Sequence, residues 1–314
     1  MSTSEIEIDD RTAASKVVDE ATMAEVPSSP RRSMLADIAS RFAHNRAAVL
    51  AGVVLILFAL AAAFAPLVAP YDPNETYVGE AFTGPSADHW LGTDDIGRDL
   101  MSRLIFGARL SLGAALISVT LGAAIGIVPG LIAGYRGGWL DVTMSRIVDA
   151  VMCIPGLILS ISLVAALGPG MYQVAIAVGV SFGPRFYRVA RAAAMGVSTE
   201  TYIKAAHGLG SGSPRILFRH VVPNALPPLI VQGSLMFGFG LLAEASLSFL
   251  GLGPQAPEAS WGSLLRRGTQ FMTQAQYLTI VPGLLIVAAV LAANVVGDGL
   301  QSVLGVRRNG DDGA

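Results

Sequence analysis

Four stretches of this chain run for 25 residues or more without an Asp, Glu, Lys or Arg: 47–71, 110–135, 150–184 and 268–297. A fifth, 220–257, is broken only by Glu244. About 20 mostly apolar residues suffice to cross the hydrocarbon core of a bilayer. A chain built this way folds in lipid, where every backbone polar group must be satisfied internally. The composition agrees: 53% of the 314 residues are hydrophobic and 14% are charged, against about 25% charged in soluble domains.

The window 150–184 is too long for one span and contains the turn signal Gly168-Pro169-Gly170. Starting one helix near Val142 and ending the next near Val189 resolves it. The expectation is an all-α polytopic protein with six transmembrane helices, at 47–70, 108–134, 142–167, 171–190, 224–247 and 277–301. In that arrangement Arg146, Asp149 and Arg185 lie at the inner interface, where long side chains snorkel.

Basic residues set the orientation of such a protein. With the N-terminus inside, 16 of the 21 Lys and Arg residues fall on the cytoplasmic side. The outer stretch 72–109 holds seven acidic and three basic residues, whereas 185–220 holds six basic and one acidic. Both termini are therefore expected in the cytoplasm and the protein in the cell membrane. Residues 1–30 read as a disordered acidic cytoplasmic tail. Leu35, Ile38, Ala39 and Phe42 recur at helical spacing among arginines, which predicts an amphipathic interfacial helix over 31–46. The first span (47–70) reads as an uncleaved anchor, because its apolar run exceeds a signal-peptide core and follows the acidic tail. Residues 71–107 form an extracytoplasmic loop, 108–304 a five-helix core containing the loop 191–223, and 305–314 a short cytoplasmic tail.

Several function classes are excluded. A net charge of −2 speaks against nucleic acid as the main partner. The four histidines and the single Cys153 lie on separate segments without metal-ligand spacing, so no metal site and no catalytic residue is predicted. A P-loop needs Gly-Lys-Ser/Thr, and the two lysines, Lys16 and Lys204, follow Ser15 and Ile203. If transport is driven by ATP, hydrolysis belongs to another chain. Asp149, Glu244 and Asp298 are the intramembrane charge candidates; they fall near span ends, which argues against proton or sodium coupling. Glu244 is either a subunit or cavity contact, or a carboxylate satisfied by Ser246 or Ser248.

Three further stretches carry more information. Tyr202-Ile203-Lys204-Ala205-Ala206-His207-Gly208-Leu209-Gly210 favours a short helix ended by a tight turn. Pro214 can open a second short helix, and Pro223 is expected to end it before the next span. This is a helix–turn–helix knob suited to docking on a cytoplasmic partner. In the outer loop, Asp94, Asp95, Arg98, Asp99 and Arg103 interleave at short spacing. They read as a structural gate or cap, or as a docking surface for a soluble partner. In the second expected span, Gly122, Gly126, Gly130 and Gly134 recur every four residues. That smooth stripe is expected to face another helix, with a contact to a second subunit as one candidate.

The knob resembles the EAA loop of ABC-importer permeases: Glu-Ala-Ala, three residues, Gly, nine residues, Ile-x-Leu-Pro. Ala205, Ala206, Gly210 and Pro223 are in register, while Lys204 stands at the Glu position, His220 at the Ile and Val222 at the Leu. The stretch from His89-Trp90-Leu91-Gly92-Thr93-Asp94 through Leu112, and Glu244-Ala245-Ser246-Leu247-Ser248-Phe249 with Ser260-Trp261-Gly262, resembles the dipeptide and oligopeptide (DppC/OppC-type) branch. The resemblance covers roughly 33–307. It implies a coupling helix between spans 4 and 5, with Lys204, Ala205, Ala206, His207, Gly208, Gly210, Ser211 and Pro223 at the ATPase contact. It also implies a second homologous permease, one or two cytoplasmic ATPase subunits holding ATP and Mg, and an extracytoplasmic binding protein. This chain itself would bind no cofactor. Short peptides are the implied cargo; nickel, glutathione and haem are alternatives within the family. An ion-coupled secondary transporter is the alternative from another class.

Overall fold

A computed structural model describes residues 42–305. The acidic tail, the segment 31–41 that carries most of the expected amphipathic helix, and residues 306–314 lie outside the described residues. Every regular element within them is helical, and the one β-bridge pairs Thr93 with Asp99.

The helices are α1 (Arg46–Ala63), α2 (Ala65–Val68), α3 (Leu100–Arg136), α4 (Gly138–Met152), α5 (Gly156–Leu167), α6 (Met171–Ser198), α7 (Thr201–Gly208), α8 (Ser213–Ile216), α9 (Val222–Phe249), α10 (Trp261–Gln270) and α11 (Tyr277–Gly305). A π-helical turn, Leu217–Val221, joins α8 to α9. Four helical stretches are long and apolar enough to cross a membrane: Arg46–Ala63, Leu100–Arg136, Ser213–Phe249 and Tyr277–Gly305. The pair α4 and α5 makes a fifth, bent by 84°. The remaining expected span, α6, has 28 residues; Arg185, Arg188 and Arg191 keep it out of that group.

Three expectations are corrected. The helix expected at 142–167 is two helices, because Pro155 cannot donate the hydrogen bond that would carry α4 onward. The second span begins at Leu100, eight residues before 108, because Asp99 caps it: its carboxylate accepts from the backbone N of Ser102 at 2.8 Å. Pro223 does not end the second short helix. It sits in the first turn of α9, and the π turn carries the chain continuously into that span.

The glycine stripe of α3 packs on α6 within this same chain. A Cβ at Gly122 would stand 2.7 Å from Phe182 Cβ, and one at Gly130 2.6 Å from Tyr187 O. At Gly126 the collision would be with the backbone oxygen of Gly183, and at Gly134 with that of Arg191. Lipid tails are as apolar as side chains, so close backbone approach replaces the hydrophobic drive in holding two such helices together. The permease–permease contact considered for this stripe is therefore replaced by an internal seam.

Three apolar clusters surround that seam. One gathers Leu104, Leu241, Trp261, Leu278 and Ile286 from α3, α9, α10 and α11. A second gathers Leu131, Ala194, Ile203, Ile216 and Leu229. The third gathers Val164, Val178, Phe182, Phe186 and Met236.

Candidate functional site

The knob is built by sequence-local rules. After α7, the N–H of Gly210 donates to His207 O at 2.9 Å and that of Ser211 to Ala206 O at 3.0 Å. This paired closure is a Schellman cap, with Gly210 at φ +78° in the position that disfavours a side chain. Pro214 lies in the first turn of α8. Ile203 and Ile216 are the buried feet of the two short helices, set against α3, α6 and α9. Lys204, Ala205, His207, Gly208, Gly210 and Pro223 are exposed, and Ala206 and Ser211 half-buried. His207 is tied to the end of α3: its Nε2 lies 3.2 Å from Tyr135 Oη, with the rings stacked. Burial and the neighbouring Glu200 charge raise the pKa of Tyr202 above its ordinary value.

The loop before α3 is folded over the opposite end of that helix. Asp94 Oδ1 accepts from the backbone N of Ile96 and of Arg98, both at 3.0 Å. Its Oδ2 accepts from Arg98 Nε at 2.7 Å and lies 3.7 Å from Arg103 Nε. Asp94, Arg98, Asp99 and Arg103 are all buried. Asp99 also takes Ser102 Oγ at 2.7 Å and sits 3.0 Å from His89 Nδ1. Asp95 leaves this group and pairs with Arg267 of α10. Burial pushes the Asp95 carboxyl up, but the Arg267 hydrogen bonds and charge outweigh it and hold the pKa below its ordinary value. Tyr277 at the start of α11 donates to Thr83 O at 3.0 Å or to Thr93 O at 2.8 Å. The interleaved charges thus hold one another and bind the loop to α10 and α11.

Glu244 is buried on α9. Ser248 Oγ donates to its Oε1 at 2.6 Å, and Ser111 and Ser260 face the same carboxyl. Of the two expected partners Ser248 is the one used; Ser246 donates instead to Leu242 O at 2.7 Å. Asp298 is exposed, and Asp149 pairs with Arg188 at 2.8 Å.

A cavity of about 530 Å³ opens where α4 breaks into α5, against α6 and α9. Its walls include Ile154, Pro155, Leu159, Phe182 and Phe239, and Arg185 is the one charged residue lining it among the described residues. No motif in the sequence marked this place. Arg185 closes the charge-free window 150–184, so it counts there only as the edge of a span.

These features define a helical membrane protein with a buried, charge-stapled cap at one end of its long helices and an ordered helix–turn–helix knob at the other. The chain belongs to the family of binding-protein-dependent transport system inner membrane components, whose model matches residues 126–309. Residues 33–85 match the N-terminal transmembrane domain of oligopeptide transport permease C. The dipeptide transport system permease protein DppC of Alkalihalophilus pseudofirmus is 42% identical over 260 residues, 83% of this chain and 86% of that protein. The di/tripeptide transport system permease protein DppC of Pseudomonas aeruginosa is 40% identical over 88% of this chain and 94% of that protein. Among solved structures, an inward-facing form of the MetNI methionine ABC transporter superposes with a TM-score of 0.54 at 22% identity, covering 65% of this chain and 97% of that one. At that identity the likeness establishes the fold alone.

Proposed function

We propose that this chain is one of two permease subunits of an ATP-driven importer that moves short peptides from an extracytoplasmic binding protein into the cytoplasm by alternating access. The observation that carries the coupling role is the knob: buried feet at Ile203 and Ile216 hold a rigid exposed face from Lys204 to Ser211. A lever must be stiff to pass a displacement on, and this one is anchored to α3, α6 and α9 together. The peptide cargo follows the relatives named above. ATP and Mg would be held by the partner ATPases.

Six spans with both termini in the cytoplasm place the knob inside and the stapled loop outside, consistent with the distribution of Lys and Arg. Asp94, Asp95, Arg98, Asp99 and Arg103 then serve as a structural cap on the outer side. Glu244 serves as an internal packing polar group beneath it.

The test is reconstitution of this chain with its second permease, ATPases and binding protein in proteoliposomes, with labelled dialanine as cargo. Uptake should require ATP and disappear when the ATPase is inactivated. Uptake driven by a proton or sodium gradient without ATP would overturn the reading.

A further inference from the structure

Three arginines on successive turns of α6 differ in how they are satisfied. Arg188 pairs with Asp149 at 2.8 Å, and Arg191 holds both carboxylate oxygens of Asp141, at 2.5 and 2.7 Å. Arg185, one turn nearer the middle of the helix, has no ion pair among the described residues. Its Nη1 lies 3.9 Å from the thioether of Met236, and its guanidinium carbon 5.7 Å from the centre of the Phe239 ring. A thioether is a weak acceptor and a ring face is none in the hydrogen-bonding plane, so the exposed Arg185 side chain has no strong acceptor in these two contacts and its fork of five N–H donors is open to a ligand or to solvent.

The fork belongs to the lining of the cavity between the α4–α5 break, α6 and α9. The rest of that lining offers nothing to neutralise it. Among the described residues no Asp or Glu lines it. The hydroxyls of Ser160, Ser181 and Ser246 donate to carbonyls of their own helices, at 2.9, 2.7 and 2.7 Å, and carry no charge to offset the guanidinium. At about 530 Å³ the space lies within the roughly 300–1,000 Å³ typical of small-ligand sites, which are mostly apolar with a few orienting polar groups. A planar guanidinium suits a carboxylate, which it can grip through two parallel hydrogen bonds.

We propose that the cavity between α4–α5, α6 and α9 is a substrate subsite in which Arg185 binds the free C-terminal carboxylate of the passing peptide while the apolar wall takes its side chains. This rests on the peptide-importer reading above and adds a specificity-determining residue to it.

The experiment uses the reconstituted importer with saturating, separately loaded binding protein. It compares initial uptake of dialanine with uptake of its C-terminal amide. The wild-type protein should move the acid at least about tenfold faster, the effect expected of one charge-assisted pair worth about 1.5–3 kcal/mol. Arg185→Gln should bring the ratio close to one, and Arg185→Lys should restore part of it. Ser181→Asp leaves Arg185 on Phe239 and places a competing carboxylate one turn away; it should collapse the ratio as well, which covers the case in which Arg185→Gln fails to assemble. An unchanged ratio in Arg185→Gln, or in Ser181→Asp where Arg185→Gln does not assemble, would overturn the assignment. So would an equal fall for acid and amide, which is the mark of a packing role. A wild-type importer that moves neither compound would instead overturn the peptide reading, and this assignment with it.

Discussion

Arg267 holds Asp95 through both carboxylate oxygens, each contact 2.6 Å, across 172 residues of sequence. The pair fastens the loop before α3 to α10, and α10 is fastened in turn to α3. There the Trp261 indole donates to Leu104 O at 2.9 Å and its backbone N to Ser111 Oγ at 3.1 Å. Loop, short helix and long helix are therefore one mechanical unit.

Removing one side of that pair leaves a part-buried charge unsatisfied, which costs about 1–3 kcal/mol. Arg267→Ala should lower the melting temperature of the detergent-purified protein, and the double variant Arg267→Ala with Asp95→Ala should recover part of the loss. The pH dependence has a definite sign. The Asp95 pKa lies below its ordinary value of 3.8, so the pair's stabilisation is complete above that pH. It is lost as pH falls through the lower, folded value. The difference in melting temperature between the natural protein and Asp95→Asn should stay constant down to about pH 4 and shrink below it.

At Gly126, an added Cβ would stand 2.7 Å from both Phe186 Cβ and Tyr187 N and would press on the Gly183 oxygen. Backbone on α6 cannot swing aside as a side-chain tip can. Gly126→Ala should cost at least the roughly 1–3 kcal/mol of an overpacked core site. Gly113→Ala, on the same helix, meets only the Met171 methyl at 3.5 Å and should be near neutral. Comparable melting temperatures for the two variants would refute the seam.

How far the sequence carries is visible in these residues. The four-residue spacing of Gly122, Gly126, Gly130 and Gly134 announces a close helix contact, because nothing else rewards a bare stripe in lipid. It carries no address, however, and α6 as the partner emerges only in three dimensions. The Gly210 turn was readable because a Schellman cap is set by residues five apart or fewer. The α4–α5 break was not, since Pro155 competes with the stronger Gly168-Pro169-Gly170 signal in one apolar window. Arg185 was missed for another reason: hydropathy registers a charge without its direction, and a cavity-facing arginine looks the same as a snorkelling one. The Asp95–Arg267 pair joins residues whose separation no local pattern spans.

Gly210 has open space around it, so a side chain there meets no neighbour. What it meets is the φ of +78°, which costs an ordinary residue about 1–2 kcal/mol. Gly210→Val should therefore loosen the α7 cap without disturbing the bundle, and Gly210→Asn should do so less. Gly208→Ala, also in open space but within helix α7, should be tolerated. In the reconstituted importer, Gly210→Val should lower uptake per ATP hydrolysed while the melting temperature changes by a few degrees at most. A Gly210→Val importer with wild-type uptake per ATP would remove the knob from the coupling path.

Helix α4 buries none of its residues fully; Leu140, Met144 and Val148 are half-buried on it, and it also meets α6 through a stripe of polar contacts. Arg191 grips Asp141, Arg188 meets Asp149, and between them Ser145 Oγ lies 3.2 Å from Tyr187 Oη. The carboxylates stand at i and i+8 with the serine at i+4, one stripe along the helix. The Arg188 pair is half exposed on both sides and contributes little, as surface pairs do. Arg191 with Asp141 is the tighter contact. Asp141→Arg should set like charges against each other and release α4 from α6, raising protease cleavage near the 84° bend at residues 153–155. Asp141→Arg combined with Arg191→Asp should restore protection, with a coupling of about 0.5–3 kcal/mol in a double-mutant cycle. If the reversed pair protects no better than Asp141→Arg alone, α4 is held by something other than this contact.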